Sequence, residues 1–284
     1  MDGETLIQKL AGLSLGAVRY IEKTGSTNDD AARWASAGAP DLSLLVADEQ
    51  TAGRGRLGRQ WFTPRGAALA FSLVLRPDRS VEQDDSLSNE GQEPSLPYPS
   101  IGRLTALGAV ATSEALLRRY GLAAQIKWPN DVLLDGRKVA GILAEAHWQG
   151  DRLLAVILGI GINVTPAALP AEERLLFPAT SVEAVLQQPV DRLDLLRAVL
   201  EELLTWRARL DTPEFLRMWE DRLAYKDEWV ELVDAGVGED SSPVEGHVLG
   251  LEVDGSLRLR DRRGQVFTLH IGEVRLRPVD RPPG

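Results

Sequence analysis

The feature that most constrains the fold of this chain is a crowded run of strand-like segments near its middle. Residues 123–147, AAQIKWPNDVLLDGRKVAGILAEAH, and residues 153–165, LLAVILGIGINVT, read as three strands in quick succession, with Asp135-Gly136 as the hairpin turn signal. Strands joined so closely pair antiparallel, because a parallel crossover needs about a dozen residues or more. Two further apolar runs, Leu42 to Gln50 and Ala67 to Pro77, precede them. The expected fold class is therefore α+β, a mixed, mainly antiparallel sheet backed by helices.

The helices are also written in the pattern. In STNDDAARWASAG, Ser26 or Thr27 can cap a helix, Asp29 and Asp30 favour its positive end, and Gly38 can stop it. In IGRLTALGAVATSEALLRRYGL, residues 101–122, the apolar positions Leu104, Leu107, Val110, Ala111, Leu116 and Leu117 recur at helical spacing, with Gly121 as the C-terminal stop. Asp191 to Leu210 and Pro213 to Ala224 are amphipathic, and Thr212-Pro213 forms a cap and first-turn pair. From about Lys226 the pattern turns to five short alternating strands, joined at Asp254-Gly255 and Arg263-Gly264, which predicts a small β-barrel. The expected units are thus residues 1–224 and 225–284. Residues 78–100 hold six acidic residues, five Ser and three Pro against one Arg and offer almost nothing to bury, the composition of a mobile surface insertion.

Charge and composition narrow the function classes. The 284 residues carry 32 Lys+Arg against 42 Asp+Glu, a net charge of −10, which disfavours a basic nucleic-acid binder. There is no cysteine, which excludes disulfides, thiolate metal sites, iron–sulfur clusters and a thiol nucleophile. No apolar run approaches the ~20 residues that span a bilayer, and the N-terminus lacks a signal-peptide layout. The expected location is cytoplasmic, with no membrane partner.

Three clusters carry chemistry. QTAGRGRLGRQW, Gln50 to Trp61, packs Gly53, Gly55 and Gly58 between Arg54, Arg56 and Arg59. It satisfies G-x-G-x-x-G formally, but a dinucleotide fingerprint must open a helix, and here the chain runs through Trp61 and Pro64 into a strand. The alternatives are an anion-binding loop, in which glycines bring backbone N–H groups close and arginines supply forked donors, or a plain flexible loop. KWPND, Lys127 to Asp131, is followed by Lys138 across the hairpin; the lysines either share a cleft or are solvated surface groups, and Trp128 reads as a packing residue. GIGIN, Gly159 to Asn163, is either part of a site or a close-packed strand terminus.

Together with STN at Ser26 to Asn28 and KVAGIL at Lys138 to Leu143, these clusters resemble, in order and spacing, the biotin protein ligases. The resemblance covers residues from about 16 to 225 well and the C-terminal part more loosely. It implies the family's class II synthetase-like catalytic fold followed by a small SH3-like barrel. It also implies the activity: biotin and ATP, with Mg²⁺, give biotinyl-adenylate and pyrophosphate, and a lysine of a biotin carboxyl carrier domain of an acetyl-CoA or related carboxylase then displaces AMP. By the same correspondence Ser26, Thr27, Asn28, Gln50 and Gly53 contact biotin, with Arg54, Gly55 and Arg56 closing over the adenylate. Arg54 and Lys138 are the catalytic candidates, and Lys138 binds the biotin carboxylate or acyl phosphate. Arg56, Trp61, Lys127, Asn130, Asn163 and Phe177 fall on the nucleotide side, and Asp131 is the candidate metal ligand.

Some members of that family carry an N-terminal DNA-binding domain; with only 25 residues before Ser26, no such domain and no DNA partner are expected. Both monomer and homodimer remain open. The alternatives are a lipoyl or octanoyl ligase, whose glycine-rich motif differs, and a non-catalytic nucleic-acid or ligand-binding protein, for which four Tyr and five Phe leave few stacking platforms.

Overall fold

The computed structural model describes residues 1–77, 100–171, 177–233, 244–270 and 275–278. The expected insertion therefore lies outside the described residues except for Ser100, which caps the helix that follows.

A seven-stranded sheet forms the centre. Its strands are β1 (Val18–Thr24), β2 (Ser43–Gln50), β3 (Ala68–Leu75), β4 (Gln125–Lys127), β5 (Asp131–Leu134), β6 (Arg137–Gln149) and β7 (Arg152–Asn163), in the order β1-β2-β3-β7-β6-β5-β4. Only β1 and β2 pair parallel; every other neighbour is antiparallel. The expected three central strands are in fact four, because Trp128, Pro129 and Asn130 form a turn between β4 and β5. A proline cannot donate to a ladder, so the chain folds back there instead of running on. At the next hairpin, Asp135 (φ 49°) and Gly136 (φ 69°) take the left-handed conformations that the turn signal demanded.

Alternation assigns the two faces. Leu69, Phe71, Leu73 and Leu75 of β3 and Val156, Leu158, Ile160 and Ile162 of β7 join one core with the helices α3 (Ile101–Tyr120) and α5 (Arg192–Arg207). Helix α3 presses so closely that a Cβ on Gly108 would lie 3.0 Å from Ile142 Cγ2. Gly121 ends it with φ 70°, as its position in the pattern predicts. On the other face Leu45, Val74, Ala155 and Ile157 pack under helix α2 (Thr27–Ser36) through Ala31, Trp34 and Ala35. Helix α2 covers only one end of that face, and the remainder is the floor of a cleft.

A short N-terminal helix, α1 (Gly3–Lys9), buries Leu6 and was not legible in the sequence pattern. The remaining helices are α4 (Val182–Leu186) and α6 (Pro213–Asp221), the latter capped by Thr212 as expected. The second sheet is antiparallel and five-stranded, β8 (Trp229–Val233), β9 (Val244–Leu251), β10 (Leu257–Arg260), β11 (Val266–Leu269) and β12 (Arg275–Pro278), in the order β11-β10-β9-β8-β12, and fits the small barrel. It is keyed to the first: Trp128 Nε1 donates to Gly255 O at 3.1 Å, and Arg103 reaches Val253 O at 2.6 Å.

Candidate active site

The cleft is made by omission of side chains. One register row crosses the sheet as Lys127, Asp131, Gly141, Gly161 and Ala70, and the next as Leu143, Gly159 and Ser72. The alternate residues Gly159, Gly161 and Asn163 all face the cleft, which explains the GIGIN spacing. A Cβ at Gly159 would lie 2.9 Å from Asn28 Cγ, and one at Gly161 would lie 2.9 Å from Trp61 Cζ2. Each glycine therefore holds space that another site residue fills.

At the closed end, Ser26, Thr27 and Asn28 open α2, each only 4% exposed. Ser26 occupies the N-cap position, but its side chain makes no cap hydrogen bond, contrary to the expected plain cap. The first-turn N–H of Thr27 donates instead to Gln50 Oε1 at 2.8 Å, and Gln50 Nε2 donates to Thr63 Oγ1 at 3.0 Å. This pair of bonds fixes which way the Gln50 amide faces. Buried Ser72 sits within hydrogen-bond reach of both Asn28 Oδ1 (2.6 Å) and Thr27 Oγ1 (2.8 Å).

At the other end of the row stand the lysines. The β5–β6 register shifts between Val132 and Leu133, placing Lys138 opposite Leu133 while Ala140 faces Val132. Plain alternation would send Lys138 to the core side with Ala140; the extra residue re-aims it into the cleft. Its Nζ reaches Asp131 Oδ1 at 2.5 Å, and Lys127 Nζ lies 3.5 Å from Asp131 Oδ2. Burial pulls the Lys127 ammonium below its usual pKa, Asp131 opposes that shift, and Lys138 adds to it. Burial alone would raise the Asp131 carboxyl, but Lys138 and Lys127 outweigh it and hold the group below its usual value. Asp131, the expected metal ligand, stands between these two ammonium groups, one at each carboxylate oxygen. Among the described residues no three His, Cys, Asp or Glu side chains gather to hold an ion.

The Gly-Arg segment is a folded hairpin over the cleft. Gly55 N donates to Arg59 O and Trp61 N to Gly53 O, at 2.7 and 2.8 Å, while Leu57 (φ 58°) and Gly58 (φ 69°) turn its tip. Gly53 is required by close approach, since a Cβ there would lie 2.9 Å from Gln50 Nε2. Burial lowers the pKa of the Arg56 guanidinium, and Asp131 partly restores it; Arg56 Nη1 lies 3.4 Å from Asn130 Oδ1. Asn130 is itself locked to β6 through Ile142, whose N–H donates to Asn130 O and whose carbonyl accepts from Asn130 Nδ2. Arg54 lines the cleft, but its guanidinium is engaged by Glu145 and Asp29.

Two connected cavities result. The inner one, about 120 Å³, is lined by Ser26, Thr27, Asn28, Gln50, Arg54 and Gly55, and by Arg56, Trp61, Lys127, Asn130, Asp131 and Lys138. The outer one, about 900 Å³, adds Gly53, Asn163 and Phe177 and shares Gln50, Trp61, Lys127, Asp131 and Lys138. All the residues singled out from the sequence are therefore brought together. Trp61 lines both, and its buried indole N–H has no partner among the described residues. Phe177 lies with its ring centroid 4.1 Å from Lys127 Nζ, and Asn163 Nδ2 donates to Thr180 O at 3.1 Å.

Sequence reading missed Ser72, Glu145 and Leu276. Ser72 had a signal, one hydroxyl inside an otherwise apolar strand; Leu276 of β12, which lines both cavities, had none. The Tyr225 hydroxyl is pushed up to about 12 by burial, with Glu228 and then Asp131 adding to the shift.

Comparison with known proteins places these residues in a lineage. The model of the biotin/lipoate A/B protein ligase family matches residues 20–163. The bifunctional ligase/repressor BirA of Bacillus subtilis is 35% identical over 211 residues, covering 70% of this chain and 60% of the relative. The match thus spans 60% of that relative's length, less than two thirds. The biotin–[acetyl-CoA-carboxylase] ligase of Paracoccus denitrificans is 36% identical over 248 residues, 86% of this chain and 95% of the relative. Among solved structures, a biotin protein ligase from Aquifex aeolicus in complex with biotin and ATP superposes with a TM-score of 0.70 at 29% identity, covering 93% of this chain and 99% of that one.

Proposed function

Because the chain belongs to the biotin/lipoate A/B protein ligase family, we propose that it is an ATP-dependent biotin protein ligase, activating biotin as biotinyl-5′-AMP and passing it to a carrier lysine. The observation that carries the reading is the small-residue row Gly141, Gly161 and Ala70, which lines a cavity shared by a buried hydroxyl and amide cluster and two lysines. A ureido ring presents two N–H donors and one carbonyl acceptor, which Ser26, Thr27, Asn28 and Gln50 match with hydroxyls and amides. Its valeryl carboxylate then lies toward Lys138, where a biotin oxygen attacks the α-phosphorus of ATP, the bond to the β-phosphate breaks, and pyrophosphate leaves. No general base is needed, because the acid is already ionised near neutral pH. Lys138, Lys127 and Arg56 supply positive charge where the anionic groups meet. In the second step the carrier ε-amine attacks the acyl carbon and AMP departs.

The wider cavity suits the nucleotide, with Trp61, Asn130, Asn163 and Phe177 on that side. Mg²⁺ belongs to the reading as the companion of the ATP phosphates, with Asp131 the candidate ligand on this chain; no step is drawn through the ion. The partner proposed is a biotin carboxyl carrier domain of an acetyl-CoA or related carboxylase; no DNA or membrane partner is part of the reading. No described helix is long and apolar enough to cross a membrane, and a cytoplasmic location is proposed. Residues 1–224 are proposed as the catalytic unit and 225–284 as the barrel unit. The assembly is proposed as a monomer or homodimer, to be read from the molar mass in solution.

The test is pyrophosphate release from the purified chain with ATP and Mg²⁺, supplied in turn with biotin, lipoate and octanoate, with Lys138→Ala alongside. Release that depends on biotin and is lost in Lys138→Ala is expected. Release driven by lipoate or octanoate instead would move the substrate assignment, and no release with any acid would end it.

A further inference from the structure

Glu145 has no part in the reaction just described, yet it joins three pieces of the cleft. It lies on the cleft face of β6, opposite Ile157 and two residues beyond Leu143. Its Oε2 accepts from Asn28 Nδ2 and from Arg54 Nη2, each at 2.7 Å, and its Oε1 accepts from Arg54 Nη1 at 2.8 Å. Asp29, on the first turn of α2, takes Arg54 Nη2 at 2.8 Å as well.

We propose that Glu145 is the positioning residue that holds the Gly-Arg hairpin closed over the bound acid and its adenylate, acting through Arg54. This rests on the ligase reading for the identity of the ligand, but not for the latch itself. The hydrogen bonds from Gly55 to Arg59 and from Trp61 to Gly53 are internal to the hairpin and shape it; outside Arg54 it is tied down by Trp61 packed over Gly141 and Gly161 and by the long contact of Arg56 Nη1 with Asn130 Oδ1 at 3.4 Å. The Arg54 fork spans from the hairpin to the sheet and to α2. Two carboxylates face this single guanidinium, so Arg54 brings no net positive charge to the reacting groups. Its geometry, a planar fork with both arms filled, is that of a fastening. The same carboxylate orients Asn28, so one residue couples closure of the hairpin to the shape of the closed end. Retention matters because an acyl phosphate hydrolyses once water reaches it.

The test uses Glu145→Ala, Glu145→Gln, Arg54→Ala and the double variant Arg54→Ala with Glu145→Ala. In the ligand-free protein, amide hydrogen exchange over residues 53–61 is expected to be about tenfold faster in Glu145→Ala, the scale of one partly exposed forked ion pair. The double variant should exchange no faster than Arg54→Ala alone. Raising the ionic strength should speed exchange in the native chain and have a smaller effect in Glu145→Ala, where only the Asp29 pair to Arg54 remains to be screened. With biotin and ATP, the adenylate should leave Glu145→Ala about tenfold faster. Glu145→Gln keeps the volume and one acceptor and should fall between; it also decides the matter if the alanine variant does not fold. Exchange and adenylate release equal to the native rates, or additive effects in the double variant, would overturn the latch. A native chain that makes no adenylate with any acid refutes the ligase reading, and the ligand-free exchange still decides the latch.

Discussion

Gly159→Ala is the substitution whose effect follows most directly from the geometry. The added Cβ would meet Asn28 Cγ at 2.9 Å and Nδ2 at 3.0 Å, with Oδ1 closer still. Ordinary contact needs about 3.5 Å or more, so the amide must retreat by roughly 1 Å. The bonds it makes to Ser72 (2.6 Å) and Glu145 (2.7 Å) do not survive such a shift. One is neutral and one charged, so their loss beside a buried amide costs about 2–4 kcal/mol. At roughly 2–4 °C per kcal/mol for a chain of this size, Tm should fall by about 5–15 °C. Because Asn28 opens the helix that closes the cleft, a displacement of about 1 Å should also lower kcat/KM for biotin by about a hundredfold. Differential scanning fluorimetry and biotin-dependent pyrophosphate release read the two effects. Gly25→Ala is the control, since a Cβ there meets nothing within 4 Å and its φ is not left-handed; it should stay within about 0.5 kcal/mol of the native chain. If Gly159→Ala kept both Tm and kcat/KM at native values, the packing of Asn28 over the glycine would be wrong.

Other substitutions isolate separate parts. Trp128→Phe removes the indole donor to Gly255 O; about 1 kcal/mol of stability should go with it, and pyrophosphate release should drop because Trp128 lies between Lys127 and Asn130, whereas an unchanged Tm would mean that the bond contributes nothing. Asp131 has a folded pKa below its unfolded value, so its stabilisation is full above about pH 4 and is lost as pH falls through the folded value. Urea midpoints across that acid range should therefore fall more steeply for the native chain than for Asp131→Asn, and parallel curves would contradict the assignment. Gly121→Ala forces a side chain into the left-handed stop of α3 (φ 70°) and should cost about 1 kcal/mol, with pyrophosphate release per folded molecule unchanged.

Where local pattern decides the outcome, the sequence was a sufficient guide. The runs that became β2 and β3, the Gly121 stop, the Thr212 cap and the Asp135-Gly136 turn each depend on a few neighbouring residues, and each formed where the residues required. The site clusters were legible because their glycines and charged residues recur at spacings that a two-residue period turns to one face. What was not legible depends on distant partners. Helix α1 has only 7 residues and owes its place to Leu6 reaching the core, not to a periodic stripe. Lys138 enters the cleft through a bulge that alternation cannot foresee. Glu145 looks like any exposed strand carboxylate until folding brings Asn28 and Arg54, 117 and 91 positions away, against it. The turn at Trp128 had its proline in plain view, but the apolar residues on either side read as one strand.

The two faces of the sheet divide stability from chemistry, and the division explains why the site tolerates residues that a strand ordinarily avoids. Glycine inside a strand costs roughly 0.5–1 kcal/mol through lost chain entropy and absent packing, and Gly141, Gly159 and Gly161 all sit in β6 and β7. The same strands carry Ile142, Leu158, Ile160 and Ile162 on the opposite face, buried to 2% exposure or less against α3. Burial of about 1.5–3 kcal/mol per such side chain outweighs the glycine penalty. The charge pattern follows the same division. A chain of net charge −10 gathers Arg54, Arg56, Arg59, Lys127 and Lys138 on its inner cavity around one lining carboxylate, Asp131. With Arg54 cancelled by Glu145 and Asp29, the remaining cations include the buried Lys127 and the partly buried Arg56, which act on an anion more strongly than charges at the surface. An apolar core on one face thus permits a bare, positively charged slot on the other, and substitutions that fill the slot should lower activity further than their effect on stability alone accounts for.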